Sequence, residues 1–264
     1  MKKFFSCGLY LILALIMIGC AKSPQSKFDR IKAFNNNSVD LTPYARYIKK
    51  QKIITEEQGK RLSVNVFENS NTGDYLKSQL NYLDPQFEIL NTSQEFDLDN
   101  NKFNLLLPIL QIKITGGTII RDENNEIVRL IGVNDQTIFD NKYQYGSTYF
   151  IQNGKIIRTV SVGNKAIWEA NITWDGDLPT KEETKVTVNG KIIVRMINYF
   201  FYNHKGQLIK EEHDIINSEN ISNVYEIFYT EYNQYGDWIK ALKYSKDQIS
   251  VEPKVTITRE IEYW

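Results

Sequence analysis

From about residue 104 to the C terminus, apolar and polar side chains alternate with a period of two, the pattern of strands with one buried face. In "AIWEANITW", Trp168, Ala170, Ile172 and Trp174 fall on one side and Ile167, Glu169, Asn171 and Thr173 on the other. In "VTITREIEY", Val255, Ile257, Ile261 and Tyr263 share a side that Arg259 interrupts. The run 192–202 is apolar on both sides. Its second face needs a cover, and helices from the N-terminal region are the expected source.

Between these runs stand turn signals. Asn153-Gly154 and Asn189-Gly190 each separate two β-type runs, and Glu123-Asn124-Asn125 separates another pair. Asn-Gly suits a type I′ hairpin because both central residues need positive φ. Consecutive hairpins of this kind predict an antiparallel meander or curved sheet over 104–264. Residues 39–103 read as a mixed α/β region. Thr42 can cap a helix with Pro43 at its first position, and Tyr44, Tyr47, Ile48 and Ile54 can share its face. Tyr75, Leu76, Leu80 and Leu83 suit a second helix that Pro85 would end. The expected fold class is therefore mainly β, with a small α-containing N-terminal region.

The first residues have a different character. Lys2 and Lys3 precede a short apolar run, and Gly19-Cys20 closes it. This is the layout of a secretory leader over 1–19, too short for a typical spanning helix. The ending "IMIGC" resembles the lipobox of bacterial lipoproteins, with Met17 where Leu is commoner. The resemblance implies lipidation of Cys20, a lipidated tether over 20–38, and a membrane held through that N-terminal lipid. Ala21, rather than Asp, implies the outer membrane by the same analogy. Only Cys7 and Cys20 occur, and Cys7 leaves with the leader, so no disulfide or thiolate metal site is expected.

The whole chain carries 32 basic and 32 acidic side chains, so loss of Lys2 and Lys3 leaves a small acidic excess. A field of that size gives no reason to expect nucleic acid as a partner.

Two segments repeat a pattern: "YNHKGQLI" from Tyr202 and "YNQYGDWI" from Tyr232, with Gly206 and Gly236 at equivalent places. Both resemble the YD-repeat unit of Rhs-type proteins, with Asn in place of Asp. "RDENNEIV" from Arg121 is a weaker copy, with Asn125 at the glycine position. The resemblance implies hairpins in a curved sheet and does not imply the large shell of that family. The lipobox, the Tyr-x-x-x-Gly hairpins and the ending "REIEYW" together look like a class of uncharacterised bacterial lipoproteins, which supplies no activity.

Candidate chemistry is sparse. His204 and His213 are the two histidines, and with Glu211, Glu212 or Asp214 they could hold zinc if the fold joined them. "DLDNNKF" begins like a calcium loop at Asp97, Asp99 and Asn101, but has Lys102 where glycine is needed and Pro108 at the twelfth position. "WDGDLPTKEET" offers Asp175, Asp177, Glu182 and Glu183, and reads more simply as a solvated loop. No nucleophile elbow, zinc-protease motif or phosphate-binding glycine loop occurs. No catalytic residue, metal or cofactor is expected. The expected function is a membrane-anchored, non-enzymatic binding or scaffold module with an envelope protein partner. The alternatives are an immunity or accessory partner of a toxin, and a carrier whose sheet and helices enclose an apolar ligand.

Overall fold

A computed structural model describes residues 48–108, 111–135, 144–163, 165–217, 222–246 and 252–264. The expected leader, Cys20 and the expected tether lie outside the described residues. The first strands are β1 (Ile48–Glu57), β2 (Lys60–Asn69), β3 (Tyr75–Tyr82), β4 (Thr92–Asp97) and β5 (Lys102–Leu107). Then come β6 (Ile112–Arg121), β7 (Ile127–Val133), β8 (Gln144–Gln152), β9 (Lys155–Gly163) and β10 (Ala166–Asp175). The remainder are β11 (Leu178–Val188), β12 (Lys191–Tyr202), β13 (Leu208–Asn217), β14 (Ser222–Tyr232), β15 (Trp238–Ser245) and β16 (Val255–Tyr263). Each strand pairs antiparallel with the next, and β16 returns to pair with β1, which closes a barrel. Closure leaves no open sheet edge.

The antiparallel meander is present, and it extends further toward the N terminus than the periodicity indicated. Residues 48–57 and 75–82 are strands, where helices were expected. A single 3₁₀ turn, Pro85–Leu90, is the helical element of the described residues in this region. Two features disguised the strands. The inner face of β1 carries Gln51, Ile53 and Thr55, so polarity does not alternate. In β3 a bulge inserts Leu76 beside Tyr75, which breaks the period of two and imitates helical spacing. The expected boundary near residue 104 falls inside β5, within the same sheet.

Register assigns the two faces. Gln51, Phe67, Ser78, Gln94, Leu105 and Ile114 form one continuous cross-strand row. The fully buried Phe103, Ile114, Leu130 and Gln51 share that inner face. Phe103, Leu105, Ile112, Ile114, Ile119, Leu130 and Tyr145 form a cluster of buried apolar side chains. Gly117 and Gly132 make room there. A Cβ on Gly117 would lie 2.3 Å from the Phe103 ring, and one on Gly132 2.3 Å from Ile114 Cγ2.

The outer wall bears ion pairs along its strands. Lys52 pairs with Glu260 at 3.2 Å, and Arg158 with Glu169 at 2.9 Å. Glu183 receives Lys181, Lys185 and Arg195, and Lys210 bridges Glu212 and Glu226 at 2.6 Å each. Exposed pairs of this kind add little stability. The same wall also exposes Phe150, Val162, Ile167 and Ile192, so charged and apolar positions are interspersed on it. Among the described residues no helix lies over the apolar second face of β12. Phe201 is 41% exposed and lies under Lys210, whose Nζ is 5.4 Å from the ring centroid.

Candidate functional site

In an up-and-down barrel, turns following even-numbered strands gather at one rim. Four of them are the same five-residue device, starting at Ser70, Asp122, Asn203 and Asn233. In each, the first N–H donates to the fifth carbonyl at 2.8–3.0 Å, and the fourth N–H donates to the first carbonyl at 2.8–3.1 Å. The first side-chain oxygen accepts from the third and fifth N–H groups. The fourth residue has positive φ: Gly73 at 80°, Asn125 at 65°, Gly206 at 70° and Gly236 at 85°. Three copies are legible in the sequence. The copy at Ser70 was missed because serine replaces Asn or Asp, although its hydroxyl does the same work.

The Asn-Gly pairs also lie between strands with positive φ, at 52° and 75° for Asn153 and Gly154 and at 50° and 78° for Asn189 and Gly190. Beyond most turns of this rim a bulge adds one residue to the returning strand, at Leu76, Val128, Ile157, Thr180, Ile209 and Ile239. The bulge lets Leu208 and Trp238 turn inward and become buried. Neighbouring turns are tied together, as where Gln207 Nε2 donates to the Gly236 carbonyl at 3.2 Å.

Between the turns after β2, β4 and β6 lies a cleft of about 540 Å³. Ser70, Thr72 and Asp74 form one side, and Asp97, Asp99 and Asn101 form another. Arg121 and Asn125 complete the mouth, and Leu76, Phe96 and Leu98 supply the apolar part. Arg121 fixes two turns at once: its Nε donates to Asn101 Oδ1 at 3.0 Å and Nη1 to the Asn125 carbonyl at 2.8 Å. Asn100 donates twice to the Asp97 carboxylate and holds its pKa below the usual carboxylate range. The triplet first noticed as a failed calcium loop thus lines a cleft.

A second polar group lies on the inner wall. Glu182, Asn198, His213 and Tyr225 are cross-strand neighbours on β11 to β14. His213 Nε2 lies 2.6 Å from Glu211 Oε2, and the Tyr229 hydroxyl donates to the other Glu211 oxygen. Tyr225 stacks on His213 at 4.4 Å and receives Lys243 over its ring at 3.6 Å. Burial raises the Glu182 pKa, and the nearby Glu211 charge raises it further, while Asn198 opposes this. Burial pushes Tyr225 up to about 12 and lowers Lys243. Arg259, the residue that interrupted its strand's apolar side, is 4% exposed; its Nε donates to Gln51 Oε1 at 2.7 Å across the closing seam.

The fold does not join the two histidines. His204 sits in the turn Asn203–Gln207, away from His213, and Glu212 alternates to the outer wall, where it pairs with Lys210. Glu182 and Glu183 likewise face opposite sides, so "WDGDLPTKEET" gathers no common site. Among the described residues, no three His, Cys, Asp or Glu side chains are placed to hold a metal.

No protein-family model matches the chain, and no curated protein matches it. Neither the lipoprotein nor the Rhs-type resemblance is therefore supported by a family match. Among solved structures, a porin-like protein from Bacteroides uniformis aligns over 81% of this chain and 98% of its own, with TM-score 0.47 and 8% identity. A porin-like protein from Bacteroides vulgatus aligns over 83% and 99%, with TM-score 0.38 and 10% identity. A Photorhabdus luminescens Tc holotoxin pore aligns over 73% of this chain and 16% of its own, with TM-score 0.20 and 9% identity. These likenesses are of outline, and the chemistry of this chain rests on its own residues.

Proposed function

We propose that the protein is a lipid-anchored, non-enzymatic binding module of the bacterial cell envelope, probing its surroundings through the turn rim while the barrel stands in water. The observation that carries this reading is the charged outer wall. Lys52–Glu260, Arg158–Glu169 and the Glu183 and Lys210 groups lie on the outer face of the strands, the face on which a membrane-inserted barrel carries an apolar band. Membrane attachment then has to come from elsewhere, and the lipobox ending at Cys20 supplies it. On the inner wall, His213 and Tyr229 engage both Glu211 oxygens, an arrangement that favours holding the barrel together over chemistry. The cleft on the turn rim supports the binding role. For the carrier alternative, the described residues supply the sheet but no α-helix to enclose a chamber with it; the immunity-partner alternative has no observation in its favour.

The test compares the native chain with a Cys20→Ser variant exported by a cleavable leader that lacks cysteine. The native chain should fractionate with membranes, and the variant should appear as folded, soluble protein. A variant that stays embedded through alkaline carbonate washing would overturn the reading in favour of an inserted barrel.

A further inference from the structure

We infer that the cleft between the turns after β2, β4 and β6 binds a neutral oligosaccharide. This inference rests on the binding-module reading and names its ligand class. The cleft has about 540 Å³, within the usual range for small-ligand sites. Its wall is more polar than apolar, and the polar groups are of every kind a polyol can use. Carboxylates accept from sugar hydroxyls, hydroxyls such as Thr72 donate and accept, and a guanidinium donates to hydroxyl and ring oxygens.

The groups differ in freedom. Asp97 is occupied by Asn100, and Asp74 accepts from Thr72 Oγ1 at 2.7 Å. Among the described residues no side chain pairs with Asp99, which leaves its carboxylate for a ligand. Arg121 uses Nε and Nη1 on neighbouring turns, so its guanidinium plane is fixed before any ligand arrives.

The apolar part discriminates between ligand classes. Leu76, Phe96 and Leu98 form a patch that suits the C–H face of a sugar ring. A polyamine or lysine-rich peptide would engage the carboxylates, but it would meet the Arg121 charge and leave the patch uncovered. An acidic saccharide would meet Asp74, Asp97 and Asp99. A neutral sugar matches all three components.

The experiment is calorimetric titration of the full lipidated chain, held in a zwitterionic detergent without sugar headgroups. The probes are cellohexaose, chitohexaose, maltohexaose and mannohexaose, with spermine as the cationic comparison. At least one hexasaccharide should bind saturably and more tightly than spermine. Asp99→Ala and Arg121→Lys should each weaken that binding about tenfold, the loss of one charge-assisted contact. Asp177→Ala, on another turn of the same rim, should leave it unchanged. Absence of hexasaccharide binding, tighter binding of spermine, or binding that ignores both Asp99→Ala and Arg121→Lys would overturn the inference. Those results would leave membrane retention through Cys20 standing, because it is read by fractionation.

Discussion

The carboxylate of Glu211 lies 2.6 Å from Nε2 of His213, two residues along the same inner face of β13. Glu211 is 4% exposed, and Tyr229 donates to its second oxygen. A buried carboxylate needs such partners. Glu211→Ala should therefore leave His213 and the Tyr229 hydroxyl without their acceptor, and cost about 1–3 kcal/mol in urea unfolding. Tyr229→Phe should cost less. The double variant should cost less than the two effects added, because the contact is shared. Strict additivity would show that the two groups act independently.

Glu182 gives a pH dependence of definite sign. Its folded pKa is raised, first by burial. Such a group contributes stability that is fully present below its unfolded pKa and is lost as pH rises through the folded value. Glu182→Gln stays neutral throughout. The variant should gain stability relative to the native chain as pH rises past the ordinary carboxylate range, and the difference should level off once pH exceeds the raised folded value. Chemical denaturation at several pH values measures this. A difference that stays flat would mean that Glu182 is solvated in the folded state.

Gly117 and Gly132 are held by close packing. Gly117→Ala and Gly132→Ala should each cost about 1–3 kcal/mol through overpacking against Phe103 and Ile114. Phe103→Leu should relieve much of the Gly117→Ala cost. If thermal unfolding shows no such rescue, the clash is not with the Phe103 ring.

Gly236 answers to conformation, since its φ is 85°. Gly236→Val should lower stability by about 1 kcal/mol or more. Gly236→Asn should cost less, because Asn125 holds the same place in its own turn at 65°. Equal losses for Val and Asn would mean that backbone strain is not the cause.

The sequence by itself determined the local elements whose cause is local. Asn153-Gly154, Asn189-Gly190, Gly206 and Gly236 mark turns because positive φ is a property of a few residues, whatever surrounds them. Alternation in 166–174 and 255–263 marked strands because one side of each meets a packed interior. Polar inner positions such as Gln51, Asn198 and Glu211 follow no such rule. They are buried because residues distant in sequence complete their hydrogen bonds, as Arg259 does for Gln51. β1 therefore looks helical in sequence, and the bulge at Leu76 gives β3 the same appearance. The pairing of β16 with β1 and the cleft shared by three turns were likewise decided by tertiary structure alone. Both depend on closure, which brings together segments that no local pattern relates.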